Sequence, residues 1–113
     1  MARKKLPADS LLVVLTQRVG LIKAMKVLTF VAAWAVATED LGRPPETIEE
    51  YAYWWRMSAA TAYREQRLFR EAMRDESATP TAIVEKARKQ LDLKDADDRE
   101  ITAARLGGLS LAL

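Results

Sequence analysis

The amino-acid sequence predicts an all-α protein, a compact multi-helix bundle in a single domain spanning residues 1–113. Three observations lead there. No stretch alternates polar and apolar residues with the period of a half-buried strand. The good helix formers Ala, Leu, Glu, Arg and Lys dominate. Hydrophobic residues make up 50% and charged residues 30%, enough apolar side chains for a packed core and too many for a disordered chain.

Taken in order, Asp9 or Ser10 stands where a cap belongs, opening a first helix through about Val19 that Gly20 interrupts. The next helix covers about Leu21 to Leu41. Leu21, Met25, Leu28, Ala32 and Val36 form one stripe, and Val27, Phe30, Val31 and Trp34 fill the other faces. A helix apolar on most sides belongs in the middle of a bundle. Its run Val27 to Thr38 is bounded by Lys26 and Glu39. That is shorter than the roughly 20 apolar residues of a membrane span, so no membrane partner is expected. Gly42 suits a helix C-terminus, and Pro44-Pro45 breaks the chain.

Thr47 followed three residues later by Glu50 is a capping-box spacing, and it opens a short helix through Trp55. A break follows at Arg56-Met57, then Ser58 caps a helix to about Glu76. Thr79-Pro80 opens another to about Leu91, on which Lys86, Arg88 and Lys89 read as a solvated face. A last helix is expected from Asp98 to Leu106. Gly107-Gly108 ends it, leaving the apolar tail 107–113 either docked on the core or facing another chain.

Several function classes fall away. With no Cys and no His, the chain has no thiol nucleophile, disulfide, zinc finger or Ser-His-Asp triad. It has no phosphate-binding Gly loop and no GxSxG or HExxH motif. Glu49-Glu50 fits a helix first turn. Asp95, Asp97 and Asp98 lack the Gly and terminal Glu of a calcium loop. No enzyme, metal or cofactor is expected. The basic start is followed by too short an apolar run for a signal peptide, and Gln17-Arg18 replace a cleavage site.

Net charge is +2, but it is unevenly spread. Residues 1–26 and 56–70 are basic, and residues 39–50 are acidic. The informative stretch is TIEEYAYWWRMSAATAYREQRLFREA, Thr47 to Ala72. At about 100° per residue, Arg64, Arg67, Arg70 and Arg74 fall on one side with Tyr63 and Ala60. Ala62, Phe69 and Met73 fall opposite, and Glu71 lies within reach of Arg67.

This stretch resembles a helix-turn-helix. Ala52 is small where two helices would cross closely, and Ile48 and Trp55 lie on the buried side. Met57 is the apolar turn residue and Ser58 the cap. Ala59-Ala60-Thr61-Ala62-Tyr63-Arg64 is similar to the S-x-x-T-x-Y-R run of many bacterial regulators. Two positions depart from that family: Arg56 stands where Gly with positive φ is usual, and Glu65 where the second helix is commonly apolar. They predict a turn that is longer or differently bent. The texture from Leu41 to Ala72 is also similar to small helix-turn-helix proteins of actinobacteria and their phages.

The resemblance implies a sequence-specific binder of double-stranded DNA, a small transcriptional regulator of phage or mobile-element origin. It would be cytoplasmic and nucleoid-associated. The helix-turn-helix covers about 47–76, its recognition helix 58–76 enters the major groove, and no β-wing is expected. A homodimer on a two-fold site is expected. Ala59, Ala60, Tyr63, Arg64 and Arg67 would read bases. Arg56, Ser58, Arg70 and Arg74 would meet phosphates. Arg3, Lys4 and Lys5 of the basic segment 1–8 would serve as an arm on phosphates or as a solubilising terminus. Of the dense aromatic set, Tyr51 and Trp55 suit the core, and Tyr53 and Trp54 suit a partner surface. The alternative is a helical protein-binding module, such as a phage-encoded inhibitor of a host protein.

Overall fold

The long apolar stretch after Gly20 becomes the helix around which the others are arranged. The computed structural model describes residues 8–91 and 99–111. Its helices are α1 (Leu11–Val19), α2 (Leu21–Leu41), α3 (Ile48–Trp55), α4 (Ala59–Met73), α5 (Pro80–Gln90) and α6 (Arg99–Leu106). The fold is an all-α bundle. Among the described residues the only β-type pairing is an isolated bridge between Ser10 and Ser110. Arg3, Lys4 and Lys5, the Asp95, Asp97 and Asp98 cluster, the expected helix start at Asp98, and the tail end Ala112-Leu113 lie outside the described residues.

Every residue of α2 from Phe30 to Thr38 is buried, because α1, α3, α4, α5 and α6 all pack on it. At 21 residues α2 is long and apolar enough by length and composition to cross a membrane, but 67% of its apolar window is buried inside the protein. Its first turns differ from expectation. Leu21 and Met25, placed by periodicity on the buried stripe, are exposed, because the first turns of α2 seat Ala24, Val27 and Leu28 on the core and leave the neighbouring side in solvent.

The aromatic rings tie α2 to the helices beside it. Phe30 meets Tyr51 of α3 edge-on at 5.3 Å and Phe69 of α4 at 5.8 Å. Trp34 stacks on Tyr51 at 5.2 Å and donates its indole N–H to Thr81 Oγ1 of α5 at 3.0 Å. Trp55, half-buried, donates its indole N–H to the Ala33 carbonyl at 3.0 Å.

Gly20 joins α1 to α2 at φ 85°, ψ 164°, a conformation that is essentially glycine's alone. Helix α1 has no side-chain cap. Its first amides instead donate to the far end of the chain: Leu11 N–H to Leu109 O at 2.8 Å and Leu12 N–H to Gly107 O at 3.0 Å. Leu109 is fully buried, so the tail docks on the core through it.

Two further expectations need correction. Helix α4 ends at Met73 rather than near Glu76, because Arg74 turns left-handed at φ 55°. Lys86 is half-buried and donates to Leu111 O at 2.7 Å, and Arg88 pairs with Glu39, so only Lys89 of that trio is simply solvated.

Candidate nucleic-acid interface

Thr47 begins the unit. Its hydroxyl accepts the Glu50 amide at 3.0 Å. Glu50 returns not to the cap's own amide but to the Glu46 amide at 2.8 Å, and it takes a two-pronged bond from Arg43 at 2.7 Å. The Arg43 guanidinium and the Glu46 amide hold the Glu50 carboxyl down at about 2.

The turn corrects the expectation of a longer or differently bent link. Three residues, Arg56, Met57 and Ser58, separate α3 from α4. Arg56 adopts the left-handed conformation, φ 54° and ψ 41°, that glycine would take there. The Met57 amide donates to the Ala52 carbonyl at 3.0 Å and the Arg56 amide to Tyr53 at 3.1 Å, closing α3 in a Schellman-type cap. Met57, half-buried against the core, is the apolar anchor that keeps the turn tight. Ser58 Oγ then accepts the Thr61 amide at 3.1 Å and caps α4.

Helix α4 is two-faced. Ala62, Phe69, Ala72 and Met73 are buried, while Ala59, Ala60, Tyr63, Arg64, Arg67, Arg70 and Arg74 are exposed. Arg56, Arg64, Arg67 and Arg70 make no hydrogen bond or ion pair among the described residues, and the expected Arg67–Glu71 pairing does not form. The face therefore presents unpaired guanidinium groups to solvent, with Glu71 exposed among them. Tyr63 is the exception to its openness. Its hydroxyl donates to the Glu49 carboxylate on α3, a bond that holds Glu49 below the usual carboxylate range and pushes Tyr63 up.

Two features were not visible in the sequence. Arg18 of α1 closes the C-terminus of α4, donating to Ala72 O at 3.1 Å and Met73 O at 2.7 Å. A cation here meets orphan carbonyls and the negative end of the helix dipole. The second feature is the environment of the odd Glu65. Its half-buried carboxyl faces Tyr51 of α3 and Arg99 of α6; burial pushes it up, and Arg99 and Tyr51 pull it back. Arg99 also lies 5.4 Å from the centre of the Trp55 ring.

The aromatic surface sits at the other end of α3. Tyr53 is 87% exposed. Trp54 is half-buried; it donates to Asp40 at 2.6 Å and meets Trp55 edge-on at 4.7 Å. Tyr53, Trp54, Arg56 and Met57 border an open cavity of about 670 Å³. No group of three or more acidic side chains among the described residues is placed to hold a metal ion. No known protein family, curated protein or solved structure matches the chain.

Proposed function

We propose that the chain binds double-stranded DNA sequence-specifically, with α3, the turn and α4 serving as a helix-turn-helix and α4 lying in the major groove. The observation that carries this reading is the exposed, unpaired Arg64–Arg67–Arg70 face on a helix fixed at both ends. Arg64 and Arg67 are the base-reading pair, suited to guanine O6 and N7. Arg56, Arg70 and Arg74 flank them as phosphate contacts, with the α4 N-terminus adding its dipole. Ala59 and Ala60 leave room for close backbone approach. Tyr63, tied to Glu49, orients α3 against α4 more than it reads a base. The biological role that follows is a small transcriptional regulator acting as a homodimer on a two-fold site.

Fluorescence anisotropy on pooled genomic fragments across a salt series tests this. Wild-type protein should select a few fragments and lose affinity steeply with salt. Each lost arginine–guanine pair should cost about 1–3 kcal/mol, so Arg64→Ala/Arg67→Ala should abolish selection. Equal binding by the variant, or no selection by the wild type, sinks the reading. The exposed Tyr53 and the cavity beside it favour the second reading, a protein-binding module, whose interface should hold at high salt.

A further inference from the structure

The first turns of α2 seat Ala24 and Val27 on the core but leave apolar side chains of another side in solvent. Leu21 is 58% exposed, Ile22 75% and Met25 43%. With half-buried Leu68 of α4 they border an open groove of about 730 Å³ between α2 and α4. Small-molecule sites run to roughly 300–1,000 Å³ and combine apolar walls with a few polar groups. Here the polar groups are chiefly cations. Lys26 of α2 and Arg64 of α4 line the groove, and neither has a hydrogen bond or ion pair among the described residues. The hydroxyls are already engaged: Thr29 donates to Met25 O at 2.9 Å, and Thr61 Oγ1 shares a hydrogen bond with Ser58. Glu65, half-buried, is the one acid lining the groove among the described residues, against two cations.

We propose that this groove binds an amphipathic anion, its carboxylate-type head held by Lys26 and Arg64 and its hydrocarbon body laid on Leu21, Ile22, Met25 and Leu68. Charge complementarity selects this occupant. A second copy placed two-fold on the same face brings Lys26 and Arg64 of both chains to one seam, with only Glu65 to offset them. Arg64 also belongs to the face that meets DNA in the reading above. On that reading, which this consequence rests on, the bound anion withdraws Arg64 from the groove of DNA and weakens DNA binding.

Titration calorimetry of the whole chain with decanoate and with decyltrimethylammonium, both below micelle-forming concentrations, tests the site without DNA. Decanoate should bind one-to-one and saturably, and the cationic amphiphile at least about tenfold more weakly. Lys26→Ala and Arg64→Ala should each weaken decanoate about tenfold, the scale of one charge-assisted hydrogen bond. Ile22→Asp should abolish binding while thermal melts show all three variants folded. Equal binding of the two amphiphiles overturns the proposal, as does decanoate binding that ignores Lys26→Ala and Arg64→Ala. Dimers in sedimentation equilibrium that Ile22→Asp dissolves also overturn it, because a second copy then covers the face. A separate arm adds decanoate to the anisotropy assay, where displacement of DNA from wild type but not from Ile22→Asp supports the link. A chain that binds decanoate as described but no DNA retains the groove and loses the DNA reading alone.

Discussion

Replacing Arg56 with glycine should move stability and DNA affinity in opposite directions. Arg56 sits at φ 54°, ψ 41°. A left-handed conformation costs an L-residue roughly 1–2 kcal/mol through crowding of its Cβ. Glycine escapes that cost but surrenders about 0.5–1 kcal/mol more backbone entropy on folding. The exposed Arg56 side chain has no hydrogen bond or ion pair among the described residues, so little else is lost. The balance is a gain of about 0.5–1 kcal/mol. In a chain of this size that is a rise of about 2–4 °C in Tm, read by circular-dichroism melting. Arg56→Val, β-branched and worst suited to positive φ, should melt below wild type. On the proposed function, Arg56→Gly also removes one phosphate contact, so the logarithmic salt slope of DNA binding should shrink by about 0.9. A glycine variant that melts at or below the wild-type temperature refutes the strained turn.

Three further outcomes are expected. Phe69 is fully buried and is α4's ring against Phe30, so Phe69→Ala should cost about 3–5 kcal/mol, seen as a melting-temperature fall of more than about 10 °C. Arg18→Ala strips the guanidinium from the Ala72 and Met73 carbonyls. It should cost about 1.5 kcal/mol, the low end for hydrogen bonds to charged groups because the site is only half-buried. Faster amide exchange in the last turn of α4 is the local readout, and unchanged exchange argues against the cap. Glu50 titrates at about 2 when folded against an ordinary 4.5. Its folded value is depressed, so its stabilisation is complete above 4.5 and disappears as pH falls toward 2. Between those limits wild type should lose more melting temperature than Glu50→Gln, and parallel curves would contradict the Arg43–Glu50 pair.

What the sequence made legible was local chemistry. Gly20, Gly42, Thr47, Ser58 and Thr79-Pro80 act on neighbouring backbone, and each marks its helix end where the pattern placed it. The two-faced α4 was equally legible, because one helix's periodicity contains it. Arg56 was misread because local preference argues for glycine, whereas burial of Met57 and the Ala52 carbonyl bond outweigh roughly 1–2 kcal/mol of strain. The partners of Arg18 lie 54 and 55 residues away, and no spacing rule announces them. Glu65 showed as an anomaly, but the burial that pushes its carboxyl up comes from the packing of other helices around it. The exposure of Leu21 and Met25 depends on which side of α2 the other helices cover, which a wheel drawn on one helix does not contain.

The joining of α1 to the far end of the chain matters for how the protein is made. Leu11 and Leu12 hand their amides to Leu109 and Gly107, Leu111 returns one to Asp9 at 3.0 Å, and the Ser110 hydroxyl meets Asp9 across 101 positions. A ribosome delivers α1 long before these acceptors, so α1 is first made without them. Arg18, riding on α1, closes α4, so the final turn of the cationic helix also waits on residues 107–111. Contacts this distant in sequence close slowly. A nascent chain halted before Gly107 should remain open to protease at both α1 and the end of α4, and extension past Leu111 should protect the two together.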